Sequence, residues 1–110
     1  MKTLVAEDVE RQIAASEAEL RDPDGRAARL WERMRIVPEQ WHHEQYAGVE
    51  PFWVIGILGR RCLYFNSGEG GWGWGRYARW GHISEYHCQQ DEIHHVVFQT
   101  LFAVDNGGTG

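Results

Sequence analysis

With 110 residues, 43% of them hydrophobic and 25% charged, the chain has the size and composition of one globular domain, which excludes wholesale disorder. The net charge of −5 is concentrated in residues 1–25, which hold three basic and seven acidic side chains, and no basic stripe follows in the sequence. Nucleic acid and anionic membrane surfaces are therefore poor partners, and a basic protein fits the charge better.

Lys2 is the single lysine beside ten arginines, which removes Schiff-base and activated-lysine chemistry. Glu7 interrupts the N-terminal stretch where a secretory apolar region would continue. The longest apolar run, Phe52 to Leu58, is far short of the roughly 20 residues a spanning helix needs. These features point to a soluble, cytoplasmic protein.

From Leu4 to Arg21, Val5, Val9, Ile13 and Leu20 fall on one stripe at helical spacing, with Ser16 among them and Thr3 as the N-cap. Glu7, Asp8, Glu10, Glu17 and Glu19 lie outside the stripe, either as a solvated face or as an acidic docking face. Asp22-Pro23-Asp24-Gly25 is a turn, and a second helix follows from Arg26 to Arg35 on Ala27, Leu30, Trp31 and Met34. The two helices are expected to form a hairpin.

Val37-Pro38 breaks the second helix. Glu39 to Tyr46 reads either as a short helix begun by Pro38 or as an edge strand holding Trp41, with the strand preferred. The run Phe52 to Leu58, the turn Gly59-Arg60 and the run Arg61 to Asn66 form a hairpin in which Leu58 faces Arg61, Gly56 faces Leu63, Ile55 faces Tyr64 and Val54 faces Phe65. Both faces of that hairpin are apolar. Either helices cover both sides or a partner covers one.

After the loop Ser67 to Gly71, Trp72 to Tyr77 reads as a third strand with Trp72 and Trp74 on one face and bare glycine on the other, which something must approach closely. His82 to Cys88 makes a fourth. Gln89 to Glu92 starts a last helix, which buries Ile93, Val96, Val97, Leu101 and Val104 and leaves Phe98 and Phe102 half exposed beside its polar arc. Residues 105–110 form a frayed tail.

Several of these residues carry a family resemblance: Phe52-Trp53-Val54, Gly59-Arg60, Leu63-Tyr64-Phe65-Asn66, Glu69-Gly70, Arg76-Tyr77, Gly81, Ile83, Glu85-Tyr86 and Gln90-Asp91-Glu92-Ile93. Over residues 37–101 the chain resembles a group of small bacterial proteins, and some small standalone proteins of this kind are immunity proteins of toxin systems. The resemblance implies a binding role and assigns no catalytic residue. The Gly-Trp-Gly-Trp tract departs from its pattern.

No constellation fixes a reaction. The histidines His42-His43, His82, His87 and His94-His95 invite a metal reading, but adjacent histidines point apart on a strand and diverge by about 100° on a helix, so each doublet offers at most one ligand; His87 or Cys88 with His94 is the combination left open, and no metal site is expected. Cys62 and Cys88 lie on different strands where they could meet in a disulfide, and buried thiols are the expected state. Glu69 and Glu85 are the acids of the sheet region, and either is placed to bind Arg76 or Arg79.

The expected fold is α+β in one domain: a helical hairpin over 1–36, an antiparallel meander of four to five strands over 37–88, and a C-terminal helix over 89–104 packed on the sheet. The first functional reading is a non-enzymatic protein-binding domain of immunity type, without cofactor, whose partner is a basic toxin. Its binding residues are Glu69, Trp72, Trp74, Arg76, Tyr77, Arg79 and Trp80. The alternative is a domain that binds or transforms a sugar or planar ligand in a cleft at Trp72 and Trp74. A homodimer built on the edge of Phe98 and Phe102 is a further expectation.

Overall fold

A computed structural model describes residues 4–43, 51–66, 70–86 and 91–105. Helix α1 spans Ala6–Glu19 and α2 spans Arg26–Met34. Strands β1 (Arg35–His43), β2 (Phe52–Leu58), β3 (Arg61–Asn66), β4 (Gly71–Arg76), β5 (His82–Ile83) and β6 (Glu85–Tyr86) follow, and α3 (Ile93–Asp105) ends the described chain. The fold is α+β.

α1 begins later than its stripe suggests, with Val5 rather than Thr3 at the N-cap. Val5 has no side-chain acceptor to offer, and its own N–H donates to Oδ2 of Asp8 at 3.3 Å. At α2 the capping is done by Asp22, whose carboxylate accepts from the backbone N–H groups of Arg26 at 3.0 Å and Ala27 at 3.1 Å. Those donors, Ala27 foremost, hold the Asp22 carboxyl below the usual carboxylate range. Gly25 takes φ 66°, so the turn closes where glycine allows a left-handed residue.

The helices do not form the expected packed hairpin. α3 lies between α1 and α2 and packs on each more extensively than they pack on each other. What ties α1 to α2 directly is Glu17, whose Oε2 accepts from the Trp31 indole N–H at 2.8 Å and from Arg35.

Strands β1 to β4 form an antiparallel meander, but the sheet as a whole is mixed, in the order β5-β1-β2-β3-β4-β6. The expected fourth strand splits at Ser84: His82–Ile83 pairs parallel with β1 and Glu85–Tyr86 antiparallel with β4. One short segment thus touches both edges of the sheet, so the sheet curls round until its two edges meet at residues 82–86. Counted as one bent strand, that segment makes a curled sheet of five.

β1 follows α2 without a loop, and Pro38 sits inside it where the β1–β2 register shifts between Arg35 and Glu39. An irregular stretch is where a strand tolerates a residue with no N–H to give. Residues 44–46 of the expected strand lie outside the described residues.

The β2–β3 hairpin keeps the expected pairs Leu58 with Arg61 and Gly56 with Leu63, then departs from expectation. A bulge between Val54 and Gly56 sets Val54, not Ile55, opposite Tyr64, so the expected pair of Val54 with Phe65 is also lost. The slip sorts the side chains by face. Val54, Cys62 and Tyr64 turn inward with Trp41 and Ile83, while Ile55, Leu63, Trp72 and Trp74 turn toward the helices.

There are therefore two cores. One lies between the sheet and all three helices, centred on Val9, Trp31, Met34, Ile55, Leu63, Trp72 and Val97. The other fills the curl, where Trp41, Val54, Ile83 and Cys62 have no exposed surface. The two apolar sheet faces that suggested a homodimer are both covered within one chain: helices take the outer face and the curl closes the inner one. Phe98 is half buried against the helix-side core, and Phe102 is 69% exposed.

The glycines of β4 face the inside, as the close approach requires. A Cβ on Gly75 would stand 2.8 Å from the Glu85 carbonyl oxygen and 3.0 Å from the Tyr64 ring. A Cβ on Gly56 would meet Met34 at 3.3 Å on the helix side. Among the described residues no helix is long and apolar enough to cross a membrane.

Candidate functional site

The structure divides the expected binding residues it describes between two places. Trp72 and Trp74 go to the helix-side core, 1% and 8% exposed. Their indole N–H groups donate to Oε1 of Gln12 at 2.8 Å and to Oγ1 of Thr100 at 3.2 Å, so each ring is bound to a helix along its polar edge as well as buried. Buried to this degree against the helices, neither ring presents the open face on which a sugar or planar ligand was expected to stack. Glu69 lies outside the described residues.

Tyr77, Arg79 and Trp80 gather at the opposite end of β4, around Trp41 of β1. The three aromatic rings form a triangle of edge contacts, with centroids 5.2 Å apart for Trp41 and Tyr77, 5.0 Å for Trp41 and Trp80, and 6.0 Å for Tyr77 and Trp80. Trp41 is fully buried and plugs the end of the curl, whereas Trp80 is 50% exposed. One carboxylate oxygen, Oε1 of Glu39, accepts both indole N–H groups, Trp80 at 2.9 Å and Trp41 at 3.1 Å. Sequence reading missed Glu39 because its partner Trp80 is 41 residues away and only the parallel pairing of β5 with β1 brings them together.

Tyr77 fastens this cluster to the β2–β3 turn: its hydroxyl donates to the Gly59 carbonyl at 2.8 Å and its N–H to that of Arg60 at 3.0 Å. The fold then supplies the basic cluster absent from the linear sequence. Arg61 and Arg76 are cross-strand neighbours, Arg60 precedes them in the turn, and Arg79 stands beside Trp80 with its guanidinium 3.1 Å from Nε2 of His82. Glu85 faces Arg76 in the β4–β6 register, yet neither Arg60, Arg61 nor Arg76 forms an ion pair among the described residues.

A third place was not foreseen. A cleft of about 570 Å³ opens between α1 and the start of α3, and its lining includes Gln12, Ser16, Glu19, Trp72, Asp91, Glu92 and His94, with no lysine or arginine among the described residues. Ser16, on the otherwise apolar stripe of α1, is 6% exposed, and its Oγ lies 3.0 Å from Nδ1 of His94. Nε2 of His94 faces Oε2 of Glu92 at 3.4 Å. A serine on an apolar stripe was the available signal.

His95 joins this group. Its ring centroid is 4.3 Å from that of His94, and Glu92, His94 and His95 each offer a ligand atom within 4.8 Å of the others. Adjacent histidines were expected to point apart, yet the rings of His94 and His95 stand side by side at the first turn of α3.

The order Ser16, His94, Glu92 copies the connectivity of a serine nucleophile with its base and orienting acid. Its exposure is the reverse of what that chemistry needs: the acid is 70% exposed and the serine only 6%. Ser16 orients His94. The remaining nucleophile of the sheet, Cys62, is a free thiol inside the curl, where burial pushes it up to about 12. Cys88 and His87 lie outside the described residues.

No model of a known protein family matches the chain, and no curated protein and no solved structure is significantly similar to it.

Proposed function

We propose that the chain is a non-enzymatic protein-binding domain whose contact face is the end formed by Trp80, Tyr77, Arg79 and the Arg60–Arg61 turn. The observation that carries this reading is the state of Trp80: half its surface is in solvent while its indole N–H is fixed to Glu39 and its ring is wedged on Trp41 and Tyr77. An exposed tryptophan held in one orientation has already lost the freedom that binding would otherwise cost. Trp, Tyr and Arg are also the residues that dominate the energetics of protein interfaces.

The arginines set the chemistry of the partner. Net charge alone suggests a basic toxin, but Arg60, Arg61, Arg76 and Arg79 crowd this face, where the Glu39 carboxylate is engaged by two indoles and Glu85 stands beside Arg76. The partner surface is therefore acidic around an apolar centre, and the acidic outer residues of α1 lie apart from it. An immunity-type inhibitor is one form such a domain takes. Four arginines neutralise few phosphates on a chain of net charge −5, which favours an acidic protein over nucleic acid.

Capture from the source cell with wild type and Trp80→Ala as paired baits tests the reading. A protein retained by wild type and lost by the variant supports it; equal retention, or retention of a single-stranded oligonucleotide at physiological salt instead, overturns it. The ligand-binding alternative now rests on the cleft beside Ser16 and His94, whose acidic, polar wall suits a cation better than a planar aromatic.

A further inference from the structure

We propose that Glu92, His94 and His95 form a binding site for a divalent transition-metal ion of the zinc class at the rim of the cleft between α1 and α3. Two imidazoles and a carboxylate are the donor set that zinc takes in three-ligand sites with an open fourth position. Metal–ligand distances of roughly 2.0–2.2 Å put neighbouring ligand atoms of a tetrahedron about 3.3 Å apart. Oε2 of Glu92 and Nε2 of His94 already stand 3.4 Å apart, which is long for a hydrogen bond and right for two ligands of one ion.

The third donor lies within 4.8 Å of both, and the gap closes by rotation of side chains that are free to move. His95 is exposed and Glu92 is 70% exposed, so neither rotation disturbs the core.

The surroundings support this assignment independently. Metal-bound histidines are oriented through their second nitrogen, and Ser16 supplies that contact from 3.0 Å away on another helix. Metal at Nε2 selects the tautomer in which Nδ1–H donates to Ser16 Oγ. This gives a reason for a buried hydroxyl on an apolar stripe.

The segment ahead of the ligands is also fixed. Asp91 and Trp72 exchange backbone hydrogen bonds of 2.8 and 3.2 Å, which tie the start of α3 to β4. The positive end of the α3 dipole opposes a cation here, but Glu19, Asp91 and Glu92 line the cleft without any basic residue among them.

The test is calorimetric titration of the full chain with Zn²⁺ at about pH 7.5, with Co²⁺ absorption as a second readout. The expected result is one ion per chain and a tetrahedral Co²⁺ spectrum. His94→Ala, His95→Ala and Glu92→Gln should each weaken binding at least tenfold, and Ser16→Ala should weaken it by about 10–100-fold, the usual effect of removing an outer-shell partner.

His42→Ala with His82→Ala removes the other described histidine pair, whose centroids are 6.3 Å apart, and should leave the affinity unchanged. Absence of stoichiometric binding overturns the site. So does wild-type affinity in the His94→Ala, His95→Ala double variant, or loss of binding in the His42→Ala, His82→Ala one. Because His95 is exposed, the His95→Ala titration still discriminates where a His94 variant fails to fold.

Discussion

Two ends of the same sheet use tryptophan in opposite ways. On the helix side Trp31, Trp53, Trp72 and Trp74 each give their indole N–H to an acceptor from a helix or the segment leading into one: Glu17, the Leu4 carbonyl, Gln12 and Thr100. At the far end of β4, Trp41 and Trp80 share one acceptor, Glu39 of β1, and Trp80 stays half in water. The first group staples layers together, whereas the second is held rigid with a face to spare. Six tryptophans in 110 residues mark neither a core nor a site until the destination of each N–H is known.

The largest effect is expected at Trp72. Replacing it with Ala removes a ring that is 1% exposed and leaves the Gln12 amide without its donor, so a loss of about 3–5 kcal/mol of unfolding free energy is expected by urea denaturation. A loss below about 1 kcal/mol would mean that the helices do not seal this face.

A smaller effect is expected from Gly75→Ala. The new Cβ would lie 2.8 Å from the backbone carbonyl of Glu85, so β6 must shift or the curl must loosen, at a cost of about 1–3 kcal/mol. Gly56→Ala is the internal control, because its nearest atom, 3.3 Å away, is the end of the flexible Met34 side chain. The two substitutions should differ clearly, with Gly75 the worse.

The inner core also sets an alkaline limit. The Cys62 thiol is raised from 9.0 to about 12 by burial, so the native state holds a proton that the unfolded chain releases. Its contribution is fully present below pH 9 and is lost as pH rises from 9 toward 12. Cys62→Ala should flatten the fall in stability over that window, and thiol reagents should label the native wild type slowly.

How much of this was legible follows from the range of each interaction. The three helices and the β2–β3 turn rest on local spacing and turn residues, and the pairs Leu58 with Arg61 and Gly56 with Leu63 followed from them. The glycine face of β4 was legible too, since bare glycine beside two tryptophans demands a close neighbour. The bulge at Ile55 was not, because both faces of β2 are apolar and neither register is forbidden by pattern. The curl depends on Ser84, whose N–H and hydroxyl both donate to the Arg76 carbonyl, at 2.8 and 3.0 Å, and divide one short strand between two edges. Nothing in the stretch from His82 to Tyr86 announces that.

The least costly change for the fold should be the most costly for binding. Trp80→Ala gives up a ring already half exposed, and the Glu39 oxygen it releases still accepts from Trp41, so a stability loss of about 1 kcal/mol or less is expected. Affinity for the captured partner should fall by about 30-fold or more, the size of an interface hot spot. Glu39→Ala separates the ring from its orientation: Trp80 remains but is no longer fixed, and part of the affinity should be lost through a slower association or a faster release. If Trp80→Ala instead unfolds the chain while Glu39→Ala leaves affinity intact, the aromatic triangle is only the plug of the curl, and the two ends of the sheet would then use tryptophan alike.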